Sequence, residues 1–382
     1  MSQPSPYTPG AVARDVPGRA QQLSFYNERA QYIGTLGKFS GRITVHQAAR
    51  GVGKTSLLRQ VQRQFEDAGF ETIWITANPD DSLLASLQQE LTHHLPRTNQ
   101  LQRSAKGNID NVSIGVGTSG TGVRANLKPK SASSPTKALR QDIAGAGAAT
   151  LASGKKGLAI FVDELQSADA VSLRTIAHSW QELASEEVPP AAGFFAAGLP
   201  GTQELVNKAV TFSERYAFMP LPNLDQAGVA AALISAAERQ SVTWEQAALN
   251  YAIEQSGGYP YKVQLIGDEV WRTAGFPDTG YMITLADVEN AIPEINRQMD
   301  TLFSSRWRSA SRKQREILTA IAELGGHSVR RSDIAAHLGV TSNSISVTRD
   351  KLLSSGVIEA TAHGEVSFTV PGFTEYVLRE RD

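Results

Sequence analysis

One short segment of the chain combines glycines, a lysine and a threonine in an order suited to phosphate binding. Residues 48–55 read Ala-Ala-Arg-Gly-Val-Gly-Lys-Thr, which matches the pattern G-x-x-x-x-G-K-[ST] except that Ala48 replaces the first glycine. Glycines let backbone N–H groups turn towards phosphate oxygens, and the helix that follows adds its positive N-terminus. A methyl group at residue 48 strains such a loop only if the residue needs a positive φ. The residues predicted to bind a nucleotide here are Arg50, Gly51, Val52, Gly53, Lys54, Thr55 and Ser56.

An acidic pair follows a strongly apolar segment of the chain. Residues 158–162 (Leu-Ala-Ile-Phe-Val) have the composition of a parallel strand buried on both faces, and Asp163 and Glu164 come directly after it. Ligands of open α/β sheets bind at the carboxyl ends of the strands. We expect Asp163 and Thr55 to hold Mg²⁺, and we expect Glu164 and Lys54 to be catalytic, Glu164 by activating the attacking water. ATP and Mg²⁺ are the expected ligands.

Strands and helices that would position these residues alternate along the sequence. Apolar or alternating segments near residues 43–47, 71–76, 158–162, 193–198 and 216–221 predict strands, and segments with helical spacing lie between them. Alternating strands and helices imply parallel strands joined by right-handed crossovers. The pattern therefore predicts an α/β fold with a parallel sheet.

Three segments fall outside this alternation. Residues 108–130 contain two alternating stretches around a Gly/Ser/Thr turn, which predicts a β-hairpin insertion. The sequence does not decide whether this insertion acts as a lid, binds a partner or has no specific role. Residues 225–288 predict a helical region with one interruption at residues 257–260. Residues 1–15 are rich in Pro, Ser and Gly, and we expect them to be flexible.

Composition excludes several classes of protein. The 382 residues exceed the usual size of a single core, so two or three domains are expected. With 37 basic and 38 acidic residues, the overall charge indicates neither a nucleic-acid nor a membrane partner. The absence of cysteine excludes disulfides and a cysteine nucleophile, and it fits a reducing compartment. No apolar run approaches the roughly 20 residues that span a bilayer, so we expect a cytoplasmic protein.

The C-terminal residues have the order helix, turn, helix and hairpin. One helix is predicted to begin at Thr341, and two short strands surround the turn at His363. This order predicts a winged helix. The polar residues predicted to contact DNA are Ser342, Asn343, Ser346, Arg349 and Lys351. From residue 306 onwards there are only eleven basic residues against nine acidic ones, so a structural or protein-docking role is nearly as well supported.

Five places in the chain together resemble the AAA+/STAND group of P-loop ATPases. Besides the two elements above, they are residues 16–19 (Val-Pro-Gly-Arg), 197–200 (Ala-Gly-Leu-Pro) and 258–260 (Gly-Tyr-Pro). The chain is similar to bacterial and archaeal ATP-binding ATPases that are related to archaeal origin-recognition proteins. The resemblance implies an AAA+-like sheet core, a helical lid and a C-terminal winged helix-turn-helix. It also implies that Arg19 lies on the adenine side, and that Tyr259 and Pro260 pack the lid against the nucleotide.

The chain departs from that group at two positions. Ala197 and Gly198 offer no polar side chain where the group has a sensor residue, although Thr202 follows a short way on. The Gly-Tyr-Pro turn replaces the arginine that many members carry in the lid. Both departures favour slow hydrolysis and a switch over a fast motor. Arg215 stands where an arginine finger is expected and is a predicted catalytic residue, but a solvated arginine in that loop fits equally well.

The predicted division is an ATPase core at residues 16–224, a lid at 225–305 and a winged-helix domain at 306–382. The leading hypothesis is a regulatory ATPase whose nucleotide state controls the winged helix. Two alternatives stay open: a DNA-binding initiator or transposition-type ATPase, and a non-catalytic scaffold that keeps a nucleotide as a structural ligand. The expected partners are duplex DNA or a protein client, with assembly of several copies in the ATP-bound state and no membrane.

Overall fold

The computed structural model describes residues 3–93, 134–210, 212–362 and 364–381. The insertion predicted at residues 108–130 lies outside these ranges. Within them, one sheet of five parallel strands has the order β2-β3-β4-β1-β5. Its strands are β1 (Ile43–Gln47), β2 (Glu71–Thr76), β3 (Leu158–Asp163), β4 (Ala192–Gly198) and β5 (Tyr216–Pro220). The predicted α/β fold is confirmed.

Helices cover both faces of this sheet. They are α1 (Ala20–Gly34), α2 (Lys54–Asp67), α3 (Leu83–His93), α4 (Pro135–Ala152), α5 (Ala170–Ala184) and α6 (Thr202–Ala209). Successive residues of a strand point to opposite faces. Accordingly, Phe161 of β3 packs in a cluster with residues of α1 and α2, whereas Ile160 and Val162 pack in a cluster with residues of α3 to α6. The strand before the acidic pair is therefore buried on both faces, as predicted.

The region after the sheet is helical, but it contains more than one interruption. It consists of α7 (Gln226–Glu238), β6 (Thr243–Trp244), α8 (Gln246–Ser256), α9 (Pro260–Thr273), β7 (Met282–Ile283) and α10 (Leu285–Ser309). Two short segments, β6 and β7, pair in parallel, so the prediction of a single break is wrong. Their pairing satisfies backbone groups that a loop would otherwise expose. Helix α10 begins at a capping box on Thr284 and continues through residue 306, where a domain boundary was predicted.

The C-terminal elements combine four helices with a small antiparallel sheet of order β8-β10-β9. They are α11 (Arg312–Glu323), β8 (Val329–Arg330), α12 (Arg331–His337), α13 (Ser346–Ser354), β9 (Ile358–Ala362), β10 (Glu365–Phe368) and α14 (Phe373–Glu380). The helix predicted from Thr341 begins only at Ser346. The hydroxyl of Ser344 donates to the Thr341 carbonyl, and such side-chain bonds compete with helix formation.

The N-terminal residues 3–15 have little regular structure, yet they are anchored to the lid helices. Tyr7 is only 2% exposed, and its hydroxyl donates to the Leu233 carbonyl over 2.6 Å. The indole N–H of Trp271 donates to the Gln3 carbonyl. The expectation of a flexible N-terminus does not describe this part, because one buried aromatic ring and main-chain bonds hold it in place.

Candidate functional site

The phosphate-binding loop connects β1 to α2. Gly51 and Gly53 adopt left-handed conformations, with φ of 84° and 92°, which glycine reaches without the clash a side chain would cause. Ala48 does not have a positive φ, and its N–H donates to the Gly198 carbonyl over 3.2 Å. The alanine at the usual position of the first glycine is therefore accommodated without backbone strain.

Lys54 and Thr55 form the first turn of α2 and face the end of β3. The Lys54 Nζ donates to the Ala49 carbonyl over 2.9 Å, and the Thr55 hydroxyl donates to Asp163 Oδ2 over 2.6 Å. Burial raises the pKa of Asp163, and both the Thr55 bond and the Lys54 charge oppose that rise. Burial lowers the pKa of Lys54, and the charges of Glu164 and Asp163 oppose that fall. The charges of Lys54 and Asp163 thus partly offset the effect of burial on each other's pKa.

Glu164 lies next to the loop in a conformation that few side chains adopt. Its φ is 54°, a left-handed backbone that costs roughly 1–3 kcal/mol outside glycine and is concentrated at functional sites. The side-chain amide of Gln166 donates to the Glu164 carboxylate, and the Gln166 Oε1 accepts the Leu199 N–H over 2.9 Å. Sequence reasoning assigned Gln166 no role. Its only signal was an amide two residues after the acidic pair.

A pocket of about 280 Å³ opens over the loop. Its walls come from the N-terminal segment, the loop, Glu164 and the start of α9, including Pro260. Arg19 is 4% exposed and lines the pocket, and its guanidinium donates to the Val52 carbonyl over 3.1 Å. Burial lowers the pKa of Arg19 to about 10. The Ser56 hydroxyl accepts the Ala13 N–H, so it ties the N-terminal segment to α2.

Tyr259 lies outside the lining of this pocket. Its hydroxyl donates to the Arg50 carbonyl over 2.8 Å, and the Tyr261 N–H donates to the Gly51 carbonyl over 3.1 Å. A Cβ at Gly51 would lie 2.1 Å from the Tyr259 hydroxyl oxygen. The prediction that Tyr259 binds the nucleotide directly is therefore corrected: it contacts the backbone of the loop. Lid and loop are fitted together so closely that only glycine is accommodated at residue 51.

Arg215 is exposed at the end of a short 3₁₀ turn before β5 and does not line the pocket. The structure does not bring Arg215 to Glu164. Its predicted catalytic role would therefore require that it reach the site of another copy of the chain. Thr202, near the expected sensor position, uses its hydroxyl to donate to the Leu199 carbonyl over 2.6 Å.

The predicted DNA-contacting residues differ in exposure. Asn343 and Lys351 are exposed, whereas Ser342 and Ser346 are half-buried. The side chain of Arg349 is only 13% exposed, so the expectation that it lies on an open face is wrong. Its guanidinium lies 3.5 Å from the Asp350 carboxylate.

The residues of the site fit a nucleotide with Mg²⁺. The loop supplies N–H groups and one buried ammonium, while Val16, Leu224 and Val263 form an apolar wall for a planar base. The Thr55 hydroxyl and Asp163 carboxylate supply oxygens, and Mg²⁺ is usually held by one or two carboxylates together with substrate phosphates. Among the described residues, no cluster of three or more His, Cys, Asp and Glu could hold a metal unaided.

A phosphate loop after β1 and an acidic pair after β3, both at the carboxyl edge of a parallel sheet, define a P-loop ATPase. Residues 16–188, somewhat less than half of the chain, match the family described as AAA ATPase domain, which supports an ATPase. Residues 300–377 match a family described as a domain of unknown function (DUF8462). No curated protein matches the chain.

Two solved structures share the fold. The Walker-type ATPase of Pyrococcus abyssi has a TM-score of 0.58 at 15% identity, with 98% of each chain covered. The ADP form of the Aeropyrum pernix ORC2 protein has a TM-score of 0.55 at 13% identity, with 98% of this chain and 97% of that chain covered. At these identities the likeness concerns the fold alone. In the described part of the chain, no helix has the length and apolar character needed to cross a bilayer.

Proposed function

We propose that this chain is a regulatory ATPase whose nucleotide state sets how its C-terminal elements sit on the ATPase core. The observation that carries the proposal is a continuous set of contacts from Glu164 to α13. Gln166 joins the Glu164 carboxylate to the Leu199 N–H, at the start of the turn after β4. A Cβ at Gly201, in the same turn, would lie 2.7 Å from the Ser354 Cα. The turn after β4 thus contacts Gln166, the partner of Glu164, at one end and α13 at the other.

A second contact supports the same coupling. An added Cβ at Gly356 would lie 3.4 Å from the Leu199 side chain and 4.0 Å from the Ala49 Cα. Ala49 is the residue whose carbonyl accepts from Lys54. When phosphates draw the Lys54 ammonium away, that carbonyl loses its partner next to the C-terminal elements. Such a route can act as a switch only if ATP and ADP bind the two arrangements with different affinities.

Hydrolysis would use the residues of the pocket in distinct roles. The Lys54 ammonium would exchange the Ala49 carbonyl for phosphate oxygens, and Thr55 and Asp163 would hold Mg²⁺. Mg²⁺, when bound, neutralises charge on the phosphates. Glu164 accepts a proton from the attacking water once its carboxylate releases the Gln166 amide. The Gln166 amide restrains Glu164, and Ala197 offers no polar group to orient the attacking water. We therefore expect ATP hydrolysis to be slow.

The nucleotide site is tested by measuring ATP and ADP affinity for the wild type and Lys54→Ala. Removing the ammonium deletes a charge-assisted contact, so we expect at least about 10- to 100-fold weaker ATP binding. Lys208→Ala, at the end of α6, is the matched control and should bind like the wild type. Equal ATP binding by Lys54→Ala would refute the site.

The coupling is tested by hydrogen exchange at residues 346–357 with ADP and with a slowly hydrolysed ATP analogue. We expect different protection with the two nucleotides, and a smaller difference in Gln166→Ala. Gln246→Ala, on the exposed part of α8, is the control and should keep the difference. Identical protection with both nucleotides in the wild type would contradict the switch.

The finer partner assignments remain proposals. Contact with duplex DNA through α13 and the turn before it is supported by the exposure of Asn343 and Lys351 and weakened by the burial of Arg349. A protein client would use the same exposed surface without needing positive charge. Assembly in the ATP state is tested by sizing the protein with ADP and with the analogue, and Arg215→Ala should reduce any ATP-stimulated assembly.

A further inference from the structure

A second and larger cleft lies beside the phosphate-binding loop. Its volume is about 1210 Å³, roughly four times that of the nucleotide pocket. Arg50 and Gly51 line both spaces. The remaining walls of the cleft come from the lid, mainly α10, from the end of α13 with the residues that follow it, and from core residues such as Gln166 and Leu199. We refer to this space as the arginine cleft.

The lining of the arginine cleft carries positive charge without a carboxylate. Arg50, Arg297 and Arg306 belong to it, and no Asp or Glu does among the described residues. Arg297 is paired with Glu294 over 2.7 Å, but that carboxylate lies outside the lining. Within the described ranges, neither Arg50 nor Arg306 forms a salt bridge. Three cations from two separate segments, the phosphate-binding loop and α10, thus converge on one space.

Arg306 is held in the cleft by neutral partners. Its guanidinium bonds the Tyr259 hydroxyl and the Thr369 hydroxyl, the latter over 3.5 Å. Burial lowers the pKa of Arg306 and the charge of Arg50 lowers it further, so the site is unfavourable for two cations without an anion. A half-buried guanidinium without an opposite charge carries a desolvation cost that a bound anion would offset.

The other groups in the cleft are suited to phosphate and sugar oxygens. Nine of the nineteen other lining residues carry serine or threonine hydroxyls or glutamine amides, such as Ser305, Ser309 and Gln298. Such side chains, together with arginine, make most contacts to nucleic-acid backbones. The half-buried ring of Tyr261 adds an aromatic surface of the kind on which single-stranded bases stack.

The positive charge continues beyond the mouth of the cleft. Between residues 306 and 315 there are five basic residues and no acidic one. Arg308, Arg312 and Lys313 are exposed there, and Arg312 pairs with Glu316 over 3.2 Å. A polyanion leaving the cleft along the end of α10 would therefore stay on a positive surface, which an isolated phosphate would not need.

We propose that the arginine cleft binds single-stranded nucleic acid, with Arg306 and Arg297 contacting phosphates and Tyr261 contacting a base. An acidic peptide fits less well because its main chain needs hydrogen-bond partners. The walls at α10 and α13 are helical, so their backbone groups are already bonded within the helices.

The test is fluorescence anisotropy of a labelled 12-nucleotide oligothymidylate with the full-length protein at several salt concentrations. We expect binding that weakens with salt, and about tenfold or more loss of affinity in Arg306→Gln. The slope of log K against log salt should fall by about 0.7 for one lost phosphate contact. Arg330→Gln removes an equally charged residue outside the cleft and should bind within about twofold of the wild type.

Arg297→Gln is a second cleft variant, for use if thermal unfolding shows that Arg306→Gln is not folded. We expect a smaller loss there, about threefold, because Glu294 already shares its charge. Equal binding by the cleft variants and Arg330→Gln would overturn the proposal. So would tighter binding of a polyglutamate peptide or of the matched duplex.

Two further measurements separate this inference from the proposed ATPase function. Oligothymidylate binding should persist in Lys54→Ala, because Lys54 does not line the cleft. Loss of binding in that variant would place the strand in the nucleotide pocket and refute the inference. If the wild type binds ATP but not the oligonucleotide, the inference fails while the ATPase site stands.

Discussion

Arg50 and Gly51 of the loop line both the nucleotide pocket and the arginine cleft, but the two spaces differ in whether their positive charges are balanced by carboxylates. On the pocket side, Lys54 faces Asp163 and Glu164, so the cation and the carboxylates compensate one another within the chain. On the cleft side, Arg50 and Arg306 face each other with no carboxylate in the described lining. A compensated site can be preorganised before its ligand arrives. An uncompensated one indicates a ligand that brings the missing charge.

The largest effect that would sharpen this contrast is expected from Glu164→Gln. Removal of the base should lower the rate of ATP hydrolysis by about 100- to 10,000-fold, because general-base catalysis contributes that much. ATP affinity should be nearly unchanged, since the amide keeps the shape of the side chain. Oligothymidylate affinity should also be unchanged, because Glu164 lines only the pocket.

Glu187→Gln, at an exposed position after α5, is the control for this measurement and should hydrolyse ATP like the wild type. Unchanged turnover in Glu164→Gln would contradict the catalytic assignment. It would favour the non-catalytic scaffold instead.

His46 of β1 offers a third comparison, because it is a buried basic residue whose environment favours the neutral form. Its side chain is 1% exposed, and burial lowers its pKa to about 4, with the Arg19 charge acting in the same direction. The unfolded chain, with a pKa near 6.5, binds more protons between pH 6.5 and 4. Stability should therefore be full above pH 6.5 and should fall by about 3 kcal/mol as the pH is lowered to 4.

Denaturant unfolding at pH 7, 6 and 5 measures this effect. We expect the wild type to lose about 2 kcal/mol more than His46→Gln between pH 7 and 5. Equal slopes for the two proteins would mean that His46 is not buried in the neutral form. His178→Gln, which changes an exposed histidine on α5, serves as the control.

The smallest effect concerns Tyr259, which lines the arginine cleft and bonds the backbone of the phosphate-binding loop. Tyr259→Phe removes the bond to the Arg50 carbonyl and one partner of Arg306, at about 1 kcal/mol for each bond. We expect ATP and oligothymidylate affinities to fall by about fivefold each. Tyr32→Phe, at an exposed position of α1 outside both spaces, is the control and should change neither affinity. An effect of Tyr259→Phe on only one ligand would show that the two regions are independent.

Much of the ATPase core could be predicted from local sequence. The five strands appeared as apolar or alternating segments, and each is present within a few residues of its predicted place. The late start of α13 and the short β6–β7 pairing could not be predicted. The first depends on hydroxyls that bond locally, and the second joins residues about forty positions apart. Neither leaves a periodic signal.

The candidate site was predicted unevenly for a related reason. Lys54, Thr55 and Asp163 belong to motifs whose spacing follows from strand and helix geometry, and the Thr55 to Asp163 bond agrees with it. Gln166 carried no motif, because its role depends on where the turn after β4 passes. Arg349 was predicted to be exposed, but its burial depends on how α13 packs against the rest of the C-terminal elements, which the sequence pattern does not show.

The sequence by itself determined the loop, the acidic pair and the strands that bring them to one edge of the sheet. Those features are local, and parallel pairing aligns the carboxyl ends of strands. Only the tertiary structure decided that Tyr259 meets the loop backbone instead of the pocket, and that Arg50, Arg297 and Arg306 converge. These residues are up to about 250 positions apart, so their meeting depends on how the lid and C-terminal helices pack against the core.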